Sequence, residues 1–248
     1  MQKYSIVAYM RRSILAGLML LIAAMAFPQE MTDSHINKSD NEGRKQGLWK
    51  VYDELGGLKY TGEYVDGKPV GTFTYYYPGG AVKALVVHDP DGLTIRVRNF
   101  HTNGKLMAQG KYLNQKKDST WLYYSEEDGT LSAEELYSHT LREGVWKTFY
   151  PEGQVAEEMI YRNDIKEGPW TRYFTDGKVK MKATYINDKL EGQYIIYNLD
   201  GMVQVSGFYK NSEKDGTWVF FLDSGEMDKK EVYENGKLIS QEIITKSE

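Results

Sequence analysis

A period of 24 residues runs through most of this 248-residue sequence and constrains its fold more than any other feature. In steps of 24 from Gly47, with one inserted residue in the segment 125–128, the anchor positions hold Gly47, Gly71, Ile95, Ser119, Gly144, Gly168, Gly192 and Gly216. Two positions after the anchor lies a column of mainly aromatic residues that contains every tryptophan: Trp49, Trp121, Trp146, Trp170 and Trp218. Such self-similarity is typical of repeat proteins and predicts eight units ending near Ile239.

Two further aromatic columns confirm that the period is real. Five positions after the anchor the residue is aromatic in all eight units, which at 13% aromatic content has a chance probability on the order of 10⁻⁷. Seventeen positions after the anchor, or eighteen in the unit with the insertion, the column reads Tyr64, His88, Tyr112, Tyr137, Tyr161, Tyr185, Tyr209 and Tyr233. We interpret these repeated aromatic residues as structural.

Each unit contains two turn signals, such as Asp176-Gly177 and Asn187-Asp188. Asn-Gly and Asp-Gly pairs favour tight hairpin turns, because both central residues take positive φ. Two short strands per unit leave no room for a helix. The sequence therefore predicts an all-β fold, an elongated single-layer antiparallel meander of about eight 24-residue β-hairpin repeats, with about sixteen strands.

The two aromatic columns of the first strand raise a question of orientation. Trp49 and Tyr52 are three residues apart, so in a regular strand their side chains point to opposite faces. Either a β-bulge turns one of them round, or aromatic residues occupy both faces of the sheet. We favour the bulge as the prediction.

The N-terminal segment is typical of an export signal. Arg11 and Arg12 precede the uncharged apolar run 14–27, and Ala24-Met25-Ala26 has the small-x-small pattern of a cleavage site. The run is shorter than the ~20 apolar residues of a membrane-spanning helix, although an uncleaved anchor is the alternative. We expect an exported protein, periplasmic or extracellular, with a signal peptide (1–26), a flexible leader (27–42), a repeat domain (43–239) and a C-terminal tail (240–248).

Composition and motifs exclude most chemistry. The absence of cysteine excludes disulfides, thiol nucleophiles and cysteine zinc sites, and a formal net charge of −4 argues against nucleic acid as a partner. A hairpin that turns at Asp91-Gly92 pairs His88 with about position 95, so along the predicted strands His88 and His101 lie roughly 20 Å apart, too far to share a metal ion. Adjacent residues of a strand point to opposite faces, so the two carboxylates of Glu134-Glu135, or of Glu157-Glu158, cannot form an acid/base couple. We expect no enzymatic activity, no cofactor and no metal.

Two stretches carry a resemblance to a known family. The sequences Glu143-Gly144-Val145-Trp146 and Glu167-Gly168-Pro169-Trp170, each followed three residues later by an aromatic residue, resemble the MORN-repeat variant of bacterial proteins. The resemblance covers about residues 42–239 and implies a sheet of hairpins that serves as a scaffold or interaction surface. It brings no catalytic residues. Some YwqK-like relatives are labelled antitoxins.

Recognition in repeat proteins tends to reside where units differ, and the unit that begins at Ile95 departs most from the pattern. We therefore expect a candidate partner surface at His88, Arg96 and Arg98. The favoured function is a non-enzymatic exported scaffold that binds another protein at the cell envelope. Two alternatives stay open: a module that contacts glycans or membrane lipid headgroups through exposed aromatic residues, and an antitoxin or immunity protein.

Overall fold

The structure is a computed structural model that describes residues 35–244. The predicted signal peptide, the first part of the predicted leader and the last four residues lie outside this range. Within it the fold is all-β without an α-helix, so the predicted fold class is confirmed. These residues also contain no helix with the length and hydropathy needed to cross a membrane.

One sheet contains all of the strands. They are β1 (Lys38–Ser39), β2 (Lys45–Tyr52), β3 (Leu58–Val65), β4 (Lys68–Tyr76), β5 (Val82–His88), β6 (Thr94–Phe100), β7 (Leu106–Leu113), β8 (Lys116–Tyr124), β9 (Leu131–Ser138), β10 (Leu141–Arg142), β11 (Gly144–Phe149), β12 (Val155–Arg162), β13 (Ile165–Tyr173), β14 (Val179–Ile186), β15 (Lys189–Leu190), β16 (Gly192–Tyr197), β17 (Val203–Lys210), β18 (Glu213–Phe221), β19 (Met227–Glu234) and β20 (Lys237–Ile243).

Every strand pairs antiparallel with its neighbours in the chain, which makes the sheet a meander. The pairs β10/β11 and β15/β16 are each one strand interrupted at a single residue, Glu143 or Glu191. From β2 to β19 the chain therefore crosses the sheet sixteen times, as predicted. The strands run past the predicted boundaries at both ends, since β1 falls within the predicted leader and β20 continues to Ile243, inside the predicted tail.

The anchor residue of most units interrupts the strand pairing. Gly71 has φ of 63° and Ser119 has φ of 60°, and each lies at a shift in register against the preceding strand. Ile95 is the exception, because a β-branched residue disfavours positive φ. Strands β5 and β6 accordingly pair without interruption, and His88 lies opposite Ile95, as the turn chemistry of the sequence predicts.

The two aromatic columns lie on opposite faces of the sheet. The ring of Trp121 lies over Gly110, whereas the amide of the adjacent Gln109 donates a hydrogen bond of 2.9 Å to the Tyr124 hydroxyl. A register shift does occur immediately before Tyr124, but it does not turn the Tyr124 side chain to the face on which Trp121 lies. Aromatic residues thus occupy both faces, and the favoured prediction is corrected. We call the side with the tryptophan column the tryptophan face and the other side the open face.

Glycine seats three of the rings deeply. Phe73, Trp121 and Trp218 are each 2% exposed, and they lie over Gly62, Gly110 and Gly207 respectively. A Cβ atom built on any of these glycines would lie within 2.3 Å of the ring, so only glycine permits this contact. Where the equivalent residue is Glu135 or Met159, the next tryptophan is half-buried.

The first glutamate of the family-like motif holds the next turn. Carboxylate oxygens of Glu143, Glu167 and Glu191 accept hydrogen bonds of 2.8–3.0 Å from the backbone N–H groups of Asn163, Asn187 and Asn211. These asparagines have positive φ and begin the hairpin turns. The Glu-Gly-x-Trp motif is thus a structural unit in which the glutamate fixes a turn, the glycine allows the register shift and the tryptophan packs on the sheet.

One tryptophan lacks its hydrogen bond. The indole N–H groups of Trp121, Trp146 and Trp218 donate to main-chain carbonyls ten residues earlier at 2.9–3.1 Å. The buried Nε1 of Trp170 has no partner among residues 35–244. The preceding Pro169 explains this, because proline disfavours helical values in the residue before it. Gly168 has φ of 112°, outside the 60–81° range of the other positive-φ anchors.

Replacement of Pro169 by threonine, the residue at the equivalent positions 72, 120 and 217, is expected to stabilise the protein. Gly168 could then take the usual anchor conformation, and the Trp170 N–H could reach the carbonyl of Ile160. A satisfied buried donor contributes about 1–3 kcal/mol relative to an unsatisfied one. Urea denaturation followed by circular dichroism measures the gain. The reverse change, Thr217→Pro, should destabilise, and an unchanged midpoint for both variants would contradict this explanation.

Candidate interaction surfaces

Cations cover the tryptophan face. Four residues before each tryptophan the chain has lysine or arginine, whereas the three units without tryptophan have Pro69, Leu93 and Leu190 there. The Nζ atoms of Lys45, Lys117 and Lys214 lie 4.3–4.4 Å from their tryptophan ring centroids. Arg142 and Lys166 stack on the facing tyrosines Tyr161 and Tyr185. Cation–π contacts of this kind contribute about 0.5–1 kcal/mol each at exposed sites.

The tyrosine column packs against the same rings. Ring centroids of Tyr112 and Trp121 are 5.1 Å apart, and those of Tyr209 and Trp218 are also 5.1 Å apart. Burial, with a hydrogen bond to Glu135, raises the pKa of Tyr137 to about 12. Burial also lowers the pKa of Lys117, which the charge of Glu135 partly offsets. Apart from the Trp170 N–H, the tryptophan face is therefore a layer of rings and cations that satisfy one another.

Alkaline pH is expected to unfold the sheet as its tyrosines ionise. Burial raises the pKa of Tyr64 to about 12, as it does for Tyr137, above the usual value of 10. Because the folded-state pKa exceeds the unfolded one, this stabilisation is complete below pH 10 and is lost as the pH rises from 10 to 12. Tyrosinate absorbance and circular dichroism should change together in that interval. Tyrosine ionisation completed near pH 10 with the sheet intact would contradict the prediction.

The structure separates the three residues of the predicted partner surface. His88 lies on the tryptophan face, where its ring centroid is 5.1 Å from that of Phe73 and burial lowers its pKa. It takes the place of the tyrosine in the other units. Arg96 and Arg98 project from the open face, because the residue paired with His88 is Ile95 and side chains alternate along β6. His88 therefore does not belong to the same surface as the two arginines.

An unbroken row of paired residues runs across the open face. Its members, each the register partner of the next, are Lys50, Thr61, Thr74, Leu85, Arg98, Gln109, Leu122, Glu134, Lys147, Glu158, Thr171, Lys182, Ile195, Ser206, Val219, Lys230 and Glu242. Unlike the tryptophan column, this row does not repeat the same residue types. It is the part of the surface where the units differ chemically.

Charge compensation along the row is uneven. Lys147 lies between Glu134 and Glu158, and its Nζ is 3.5 Å from a Glu158 carboxylate oxygen. Arg98 lies between Leu85 and Gln109 and forms no ion pair with any residue in the range 35–244. On the same face Arg96 donates to Asp89 at 2.9 and 3.1 Å. The guanidinium of Arg98 is therefore an exposed, uncompensated cation.

A groove of about 400 Å³ surrounds Arg98 on strands β5–β8. Its apolar lining comes from Leu85, Val87 and Leu122, and its polar lining includes Arg96, Arg98, Gln109, Lys111 and Thr120. The register shift between Gln109 and Lys111 opens the sheet surface at this point, since β8 has two extra residues there. Lys111 forms a 3.5 Å ion pair with Asp118 at the end of the groove near the turns.

The described residues bring no metal-binding set together. No group of three or more His, Asp or Glu side chains within residues 35–244 could hold a metal ion. Glu134 belongs to the open-face row, whereas Glu135 accepts a hydrogen bond from Tyr137 on the tryptophan face. The predicted separation of the adjacent glutamates is confirmed.

Two features of these surfaces were missed in the sequence. The first is the lysine or arginine four residues before each tryptophan. Its fixed spacing, and its absence from units without tryptophan, could have indicated a contact between the cation and the ring. The open-face row gave no such signal, because its members come from sixteen strands and a final edge strand whose register depends on the shifts at the anchor residues.

The repeats match a known family. The model of the MORN repeat variant matches four stretches, residues 45–66, 93–114, 142–163 and 166–187, each of which spans one strand, a turn and the next strand. The chain contains four MORN repeats of this variant type. Its MORN repeats form an all-β scaffold of the kind associated with protein or membrane binding, a fold that is typically non-catalytic. The match includes the unit of Ile95, which departs most from the motif.

Comparisons beyond the family model add little. No curated protein matches the sequence. Among the solved structures that match is the crystal structure of TcdB2-TccC3-TEV, with 12% identity, 81% of this chain and 12% of that chain covered and a TM-score of 0.20. Another is the crystal structure of TcdB2-TccC3-Cdc42, with 10% identity, 79% and 16% coverage and a TM-score of 0.18. The chain spans less than a fifth of either.

Proposed function

We propose that this MORN-repeat protein is a non-enzymatic exported scaffold that binds another protein at the cell envelope through its open face. The observation that carries the proposal is the difference between the two faces. In the five units with tryptophan this face repeats the same type of ring and cation contacts, and apart from the Trp170 N–H these contacts use its polar groups internally. The open face has side chains that vary from unit to unit, as a surface for specific recognition requires.

The chemistry of the open face suits protein recognition. Apolar residues such as Val219 and Ile195 are interspersed with polar and charged residues such as Lys182 and Lys147 along the row. A mixed apolar and charged surface is typical of protein–protein interfaces. The export part of the proposal rests on the sequence of residues 1–26.

The alternative of glycan or headgroup binding through the tryptophans receives less support. Trp121 and Trp218 are almost fully buried beneath lysines, so their rings do not offer a stacking platform. Immunity or antitoxin activity stays a prediction from the family resemblance.

Site-specific photo-crosslinking in the native cell envelope tests the proposed function. A photoreactive amino acid is placed at the exposed open-face positions Thr120, Gln193 or Thr217 of the full chain, and at the exposed turn positions Asn114 and Asp200 as controls. We expect a protein adduct, identified by mass spectrometry, from at least one open-face position and none from the turns. Adducts from the turns alone, or no adduct at any position, would overturn the proposal.

A further inference from the structure

We propose that the groove around Arg98 binds an extended acidic segment of the partner protein, with carboxylates at alternate positions. This inference rests on the proposed function and names the chemistry of the bound segment. Charge is the first observation that supports it. The groove is lined by Arg96, Arg98 and Lys111 and by no acidic residue of the range 35–244, and Asp89 and Asp118 beside it pair with Arg96 and Lys111 respectively. One positive charge is left over, although the whole chain is acidic, with a net charge of −4.

Spacing is the second observation. Arg96 and Arg98 are alternate residues of β6, so their Cα atoms are about 6.6–6.8 Å apart along the strand. An extended ligand segment has the same spacing between its residues i and i+2. Carboxylates at two alternate positions can therefore meet both guanidinium groups at once. Arg96 has 65% of its side chain exposed, so it remains accessible while paired with Asp89.

The apolar lining distinguishes a peptide from a simple polyanion. Leu85 and Val87 lie directly opposite Arg98 and Arg96 on β5, and Leu122 lines the other side of the groove. A ligand that covers these side chains gains about 25 cal/mol per Å² of apolar surface removed from water. A phosphate backbone or a lipid headgroup offers no apolar side chains at this spacing.

The location of the groove follows from the departure at Ile95. Because this residue replaces the positive-φ anchor, β5 and β6 pair without the shift seen in the other units. The arginines and their apolar neighbours Leu85 and Val87 are thereby kept in direct register. The next pairing between units, β7 with β8, has the usual shift at the anchor residue and widens the surface. At this unit an uninterrupted pairing, β5 with β6, therefore lies next to a pairing with a register shift, β7 with β8. The combination occurs here because Ile95 lacks positive φ, whereas the next anchor, Ser119, has it.

Fluorescence anisotropy with the full chain tests the inference. The probe is a short labelled peptide that alternates glutamate with leucine or threonine, and the control peptide has the same composition with its glutamates contiguous. We expect the alternating peptide to bind more tightly than the control. Arg98→Gln should weaken that binding about tenfold or more, as for a central interface arginine. Lys182→Gln is the matched control, because Lys182 is an open-face cation of the same row in a different groove.

The outcomes separate the inference from the proposed function. Equal binding of the two peptides, or equal losses in Arg98→Gln and Lys182→Gln, would overturn the inference because either result indicates unspecific charge attraction. Arg98-dependent binding to vesicles that contain phosphatidylglycerol, without binding to the peptide, would overturn it in favour of a membrane. If Thr120 still crosslinks to a protein in the Arg98→Gln variant with unchanged yield, the inference fails while the proposed function stands. Unchanged urea midpoints show that both variants fold.

Discussion

Replacing Trp121 with alanine is expected to lower the free energy of unfolding by about 3–5 kcal/mol, the range for aromatic-to-alanine changes in cores. The ring is 2% exposed and lies on the backbone of Gly110. Its centroid is 5.1 Å from that of Tyr112, the Nζ of Lys117 lies 4.3 Å above it, and its N–H donates to the carbonyl of Lys111. The variant loses all of these contacts at once. Urea denaturation monitored by circular dichroism measures the loss.

Trp170→Ala is the matched control for this prediction. Trp170 occupies the same column, but it is half-buried, it lies beside Met159 rather than glycine and its N–H has no acceptor in the described part of the chain. The loss of stability should therefore be clearly smaller than for Trp121→Ala. Both variants remove an indole from a central strand, so the difference between their losses of stability measures the effect of burying the ring over a glycine. Equal losses would show that burial over glycine does not determine the contribution of a tryptophan.

Much of the fold could be predicted because its determinants are local. A hairpin turn depends on two or three neighbouring residues, and Asn-Asp and Asp-Gly pairs recur at fixed spacing in this sequence. Once the turns are placed, the pairing of adjacent strands follows. The predicted pairing of His88 with residue 95 was therefore correct, as was the number of crossings between β2 and β19.

The orientation of the aromatic columns was harder to predict because it depends on strand irregularities. The register shift before Tyr124 lies between the two columns, as the favoured prediction required, yet Tyr124 contacts Gln109 on the open face. A sequence pattern shows the distance between two residues, but it does not show whether a bulge rotates the side chain or only moves the partner strand. The seating of rings on Gly62, Gly110 and Gly207 likewise depends on contacts between consecutive units.

The candidate site was partly predictable. The pairing of His88 with residue 95 already places Arg96 on the other face by simple alternation, so the separation of His88 from the arginines could have been inferred. The groove itself could not, because it arises from the shift between Gln109 and Lys111. Among the described residues Arg98 has no ion-pair partner because its cross-strand neighbours are the uncharged residues Leu85 and Gln109, and this pairing also depends on the register.

Replacing Gly110 with methionine is expected to destabilise the protein by about 1–3 kcal/mol, the usual cost of inserting atoms into a packed core. A Cβ atom at this position would lie 2.3 Å from the Cδ2 atom of Trp121, so the ring has to move outward. Methionine is compatible with the repeat, since Met159 occupies the equivalent position in a unit whose next tryptophan is only half-buried. The change should shift tryptophan fluorescence to longer wavelength and lower the urea midpoint.

A double-mutant cycle with Trp121→Ala distinguishes this ring displacement from a general effect on the strand. If the ring is what the new side chain displaces, Gly110→Met should cost little in the Trp121→Ala background, where methionine instead fills vacated space. The coupling energy should then be at least about 1 kcal/mol, within the range for residues in direct contact. Gln109→Met tests the strand itself, because this side chain lies on the open face: it should cost only the hydrogen bond to the Tyr124 hydroxyl, about 0.5–1.5 kcal/mol, and the same amount in both backgrounds. An equal cost of Gly110→Met in both backgrounds would contradict the role assigned to glycine.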